Sequence, residues 1–158
     1  MLKRWANNLG AVMALVLVVG LFVIIFMVGA NLLQSVLVLI YSDVAFAAQK
    51  AVQATYTVRT YMNFYYIICG ILFLGFFFLM DYRIVATGVP KKLVLRRTFF
   101  TLGVELLVLA LIHLGTILIL PAAQLQIVLT AVEILLGIGL IFLSRRKGSV
   151  LPWVKENQ

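Results

Sequence analysis

The sequence predicts an all-α integral membrane protein: four transmembrane helices forming two antiparallel hairpins, the first extended beyond the membrane on the outer side. Three observations predict it. Hydrophobic residues make up 65% of the 158 and charged residues only 11%, with a mean hydropathy of +1.16. Soluble domains are closer to ~45–50% apolar and ~25% charged. The apolar residues also gather in four near-continuous runs, each approaching the ~20 residues a spanning helix needs, without the alternation of barrel strands. The basic residues, finally, sit at the ends of those runs and mostly on one side. A water-soluble globule is excluded, because too much apolar surface would face water. Disorder is excluded too, since it needs low hydrophobicity and high charge.

The spans are expected at 9–34, 64–80, 98–120 and 125–143, in one domain covering 1–158. The first apolar run, Leu9 to Tyr41, carries no formal charge. As a single helix it would be ~50 Å long against a hydrocarbon core of ~30 Å, more than tilt absorbs. Its last third turns more polar at Asn31, Gln34 and Ser35, so the helix is expected to emerge around residues 30–34. Lys3-Arg4 followed by an apolar run and Ala45-Phe46-Ala47 superficially resembles a secretory signal, but the run is about twice a signal's ~7–15 residues. It is read as a retained span.

Residues 42–63 contain neither Pro nor Gly and read as an outer amphipathic helix, with Val44, Ala48, Ala51, Thr55, Val58 and Met62 on one side. Ser42 or Asp43 suits its N-cap, and nothing breaks it before Gly70. Two dispositions are open. The segment stands out from the membrane, with the hairpin turn near 41–43, or it lies flat with Tyr56, Tyr61, Tyr65 and Tyr66 as an aromatic belt. Only Pro121-Ala122-Ala123-Gln124 joins spans three and four, which forces antiparallel neighbours. The connection 81–97 is a basic loop whose turn is expected at Thr87-Gly88-Val89-Pro90.

A net charge of +8 in a soluble protein would suggest nucleic acid; beside spans it is a sidedness signal, and no nucleic-acid partner is expected. Lys3, Arg4, Arg83, Lys91, Lys92, Arg96, Arg97, Arg145, Arg146, Lys147 and Lys155 fall on one side, leaving only Lys50 and Arg59 opposite. Both termini are therefore expected in the cytoplasm, for a multi-pass protein of the plasma or inner membrane. Arg83, Lys91, Lys92, Arg96, Arg97, Arg145, Arg146 and Lys147 are candidates to contact anionic lipids on the inner side, at ~1 kcal/mol each near the surface. Topology alone also accounts for them.

Three ionisable residues fall inside spans: Glu105, His113 and Glu133. Such groups are costly in a bilayer, so function is the first hypothesis. In a hairpin turning at 121–124, position 113 lies opposite roughly 132, which brings Glu133 toward His113. The pair reads either as a proton relay continued inward by Glu105 or, more simply, as an interhelical bond fixing register, at ~0.6–2 kcal/mol. Glu105 lies opposite roughly 140, where Leu140 and its neighbours offer no partner; an assembly contact is the simpler role. A haem ligand is the remote reading of His113, because membrane b-type sites favour paired histidines and there is one here. No cofactor and no metal are expected.

Phe73, Phe76, Phe77 and Phe78 cover most of a helix circumference and read as a lipid-facing or inter-subunit surface. Small residues at Gly10, Ala14, Gly29, Ala30, Gly70, Gly103, Gly115, Gly137 and Gly139 permit close helix approach. The single Cys69 excludes an internal disulfide and a cysteine-based metal site. No Walker loop, H-E-x-x-H, G-x-S-x-G or C-x-x-C occurs. The expected function is a non-enzymatic small membrane subunit packing against partner membrane proteins or copies of itself. The alternatives are a small oligomeric proton- or solute-coupled transporter using the intramembrane Glu and His residues, and a membrane sensor or regulator.

Overall fold

The computed structural model describes residues 2–42, 48–89, 93–119 and 124–145. They form four long helices: α1 (Leu2–Ser42), α2 (Ala48–Met80), α3 (Val94–Ile119) and α4 (Gln124–Arg145). A π-helical turn, Asp81–Ala86, continues α2 at its C-terminal end. All four helices are long and apolar enough to cross a membrane, the architecture of a multi-pass membrane protein. Their exposed side chains are largely apolar, while the buried set includes Thr98, Thr101, Glu105, Thr130 and Ser144. That inversion suits a lipid solvent, which leaves polar groups to find partners inside the protein. The threonines do so within their own helix: Thr98, Thr101 and Thr130 donate to the carbonyls of Val94, Arg97 and Gln126 at 2.8, 3.0 and 2.8 Å.

The segment expected at 42–63 runs straight into the second span, as the absence of a breaker before Gly70 allows: from Ala48 onward it is the first half of α2. One boundary differs from the sequence reading, because 81–97 is not a loop throughout. The π turn and the start of α3 take up most of it, leaving 87–89 and 93 outside the helices among the described residues. Gly88 is required there, since a Cβ would lie 2.2 Å from the Ile84 carbonyl oxygen. Residues 43–47, 90–92, 120–123 and 146–158, with the expected outer turn at Asp43, the short link at Pro121, and Lys91, Lys92, Arg146, Lys147 and Lys155, lie outside the described residues.

The helices pack in the order α2, α1, α3, α4, an open row and not a closed bundle. Among the described residues α2 and α4 do not approach each other, and neither do α1 and α4. In the α1–α2 contact, rising positions in one helix meet falling positions in the other. Ala30 and Leu37 pack with Met62, Val58 and Tyr65, and farther along Phe22 stacks on Phe76 with ring centroids 3.8 Å apart. Phe76 thus faces α1, unlike Phe77 and Phe78, which are exposed. Tyr65 is also turned inward, donating to the Phe26 carbonyl at 2.9 Å. Gly29 makes room for its hydroxyl, as a Cβ there would lie 2.7 Å from Tyr65 Oη. Tyr56, Tyr61 and Tyr66 stay exposed. A second core forms where α1 crosses the π turn, with Ala11, Ala14, Leu15 and Val18 against Met80 and the fully buried Ile84.

The tightest approach is between α3 and α4. A Cβ on Gly103 would meet the Gly137 carbonyl oxygen at 2.8 Å, and one on Gly137 would meet the Gly103 carbonyl oxygen at 3.0 Å. The helix backbones touch there because neither residue has a side chain.

Candidate functional site

His113 on α3 and Glu133 on α4 meet as the sequence expects: His113 Nδ1 lies 2.9 Å from Glu133 Oε2. In the tautomer with its proton on Nδ1, the ring donates to the carboxylate. Both side chains are partly covered, at 18% and 15% exposure. The pair sits on the same α3–α4 interface as Gly103 and Gly137, so helix register and the His113–Glu133 contact fix one another. Among the described residues it is the one contact between a basic and an acidic side chain, and no cluster of three or more His, Cys, Asp or Glu is placed to hold a metal. Its coupling is expected at about 0.6–2 kcal/mol. A double-mutant cycle of His113→Ala and Glu133→Ala, read by unfolding in mixed micelles, checks this. Strict additivity of the two single effects would remove the pair as a register device.

Glu105 stands apart. It belongs to the α3 stripe of Thr98, Thr101, Glu105 and Leu109, all buried. The stripe faces α1 and the end of α2: Thr101 Oγ1 contacts Met80 Sδ at 3.8 Å, and Ile112, two turns beyond Glu105, lies against Gly29. The α1–α3 offset, set by Ile112 at Gly29 and Gly115 at Leu32, carries Glu105 to the level of Phe22. Glu105 is only 4% exposed, and neither carboxylate oxygen has a hydrogen-bond partner among the described residues. The side chain is enclosed within its own chain. Glu105 and His113 are about 12 Å apart along α3 and face different neighbours. The structure therefore brings His113 and Glu133 together and leaves Glu105 separate.

Of the basic candidates, Arg83, Arg96, Arg97 and Arg145 are described, and they converge. Arg83 comes from the π turn, Arg96 and Arg97 from the first turns of α3, and Arg145 from the last turn of α4. Arg97 is held in place: its Nη1 donates to the Arg83 carbonyl and to the Thr87 hydroxyl oxygen. Thr87 in turn donates its backbone N–H to the Tyr82 carbonyl at 3.0 Å. This clamp of α3 onto the π turn was not legible in the sequence, because the register of a π turn has no signature in residue type. Together with Phe100 and Ser144, the arginines line a cavity of about 370 Å³. Compared with family models, curated proteins and solved structures, the chain matches none of them.

Proposed function

We propose that this chain is a non-enzymatic membrane subunit that packs laterally against copies of itself or other membrane proteins. The observation that carries the reading is the open row of helices. Only 11% of the apolar stretch of α2 is buried, against 22% for α1 and for α3. The row has two free edges, and α2 offers Phe64, Ile68, Ile71 and Phe78 along its uncovered length. Glycines inside the row, Gly29, Gly103, Gly115 and Gly137, each lie under a neighbouring atom. Gly10, Gly20, Gly70, Gly75 and Gly139 instead have nothing within 4 Å of the space a Cβ would fill. In lipid, where helix association rests on close packing, uncovered small residues are where a further helix fits.

The disposition in the membrane belongs to the same proposal. The helices form two antiparallel hairpins, with both termini and the arginine-bearing end in the cytoplasm. α1, with 41 residues, is about 60 Å long, and so its hairpin extends beyond a core of ~30 Å on the outer side. Native mass measured directly from vesicles tests the assembly.

One observation favours a second reading, a small proton- or solute-coupled transporter: an enclosed carboxyl without a partner in a spanning helix is unusual. Reconstituted flux tests it. Flux lost in the Glu105→Gln, Glu133→Gln double variant would support transport, and flux retained there would remove these residues from it.

A further inference from the structure

We infer that the cavity between Arg83, Arg96, Arg97 and Arg145 is a binding site for a phosphate monoester. Three element ends build it, and their arginines arrive from different directions around one space. Guanidinium groups recognise phosphate oxygens through paired N–H donors, and they carry charge at any physiological pH. Among the described residues no acidic side chain lines the cavity and none pairs with these arginines. Four like charges around one opening repel one another until an anion enters. A single negative charge answers them poorly, which favours the doubly charged monoester over a phosphodiester.

The local helix ends sharpen the demand. Arg96 and Arg97 occupy the first turns of α3, which hold no acidic residue. Cations there oppose the helix macrodipole, since that end favours negative charge. The arrangement is unfavourable for the chain alone and favourable once an anion sits between the side chains.

Size and lining agree with this ligand. About 370 Å³ is more than a bare phosphate needs and falls within the ~300–1,000 Å³ of small-molecule sites. Phe100 lies one helical turn along α3 from Arg96 and Arg97, toward the apolar length of the span, and contributes an uncharged wall. Ser144 closes the α4 side; it is 3% exposed, its hydroxyl donated to the Ile141 carbonyl at 2.6 Å. A charged mouth above an apolar wall, at the ends of three spans, suits a phosphate carried on glycerol. That chemistry has two sources, a phosphatidic-acid-type lipid headgroup and a soluble phosphate monoester.

The test uses the full chain in nanodiscs of phosphatidylcholine alone, with added phosphatidylglycerol, or with phosphatidic acid matched in total charge. Retained lipid is read by native mass spectrometry and stability by thermal shift. A separate arm adds glycerol 3-phosphate to the phosphatidylcholine discs. The variant is Arg96→Gln with Arg145→Gln, which leaves the Arg97 clamp intact. The charge-matched control is Lys3→Gln with Arg4→Gln on α1. Phosphatidic acid retained in preference to phosphatidylglycerol, with affinity falling about thirtyfold in the arginine variant and little in the control, supports the site with a lipid source. Stabilisation by glycerol 3-phosphate that the arginine variant abolishes supports it with a soluble source. Equal retention of both lipids with equal losses in variant and control would reduce the arginines to diffuse surface charge and overturn the inference. So would an absence of binding in every arm. None of these outcomes depends on lateral assembly, so failure here is distinguishable from failure of the subunit reading.

Discussion

Gly103→Val separates α3 from α4 and lowers stability by about 1–3 kcal/mol. The reason is geometric. The new Cβ would lie 2.8 Å from the Gly137 carbonyl oxygen and 3.1 Å from the Ile141 amide nitrogen, both backbone atoms that no side-chain rotation can clear. Gly137→Val acts from the other side, against the Gly103 carbonyl oxygen and Leu107. Both should also weaken the His113–Glu133 pair, because one interface sets the helix spacing for both. Gly139→Val is the control for contacts within the chain, with nothing of its own chain within 4 Å of its Cβ position, and it is read at a micelle excess that keeps chains single. Unfolding in mixed micelles checks the three together. A Gly103→Val protein as stable as the Gly139→Val protein would mean that α3 and α4 do not cross at Gly103.

Glu105→Leu is expected to do the reverse and raise stability by about 1–3 kcal/mol, the penalty of keeping a polar group buried without a hydrogen bond. The site is already apolar at the level of Phe22, and leucine is close in size to what it replaces, so little repacking is required. Glu105→Gln keeps an amide in the same space and should change stability much less. The same unfolding experiment reads both. A loss of stability in Glu105→Leu would show that the carboxyl has a partner in the bilayer, and it would remove the unpartnered carboxyl on which the transport reading rests. A residue that destabilises its own fold while buried is kept for a reason other than stability. That makes the combination of a stabilising Glu105→Leu with lost flux the most informative outcome for transport.

Much of this architecture can be read from residue type, for identifiable reasons. Four apolar runs leave no other helix count, and the absence of Pro and Gly between Ser42 and Gly70 fixes α2 as one long element. His113 and Glu133 could be paired in advance because so short a link between spans sets the register within about a turn. Three things were not legible. The open row depends on which faces meet, and four helices apolar all round carry no stripe that says so. Phe76 and Phe77 are identical in type, yet one stacks on Phe22 and the other faces outward. The π turn shifts the phase of everything after Met80, so the convergence of Arg83 with Arg96, Arg97 and Arg145 appears only in three dimensions. Sequence marked those arginines as a basic face, and the fold makes a cavity of them.

Lateral assembly is the central claim, and native mass spectrometry of the chain ejected directly from membrane vesicles, without prior detergent extraction, tests it most directly. One chain weighs 17.6 kDa. The expected result is a species at an integral multiple of that mass, or one chain with a stoichiometric partner, that dissociates when Gly70 and Gly75 on α2 are replaced by valine. A single 17.6 kDa chain carrying lipid alone, unchanged across vesicle concentrations, would contradict it.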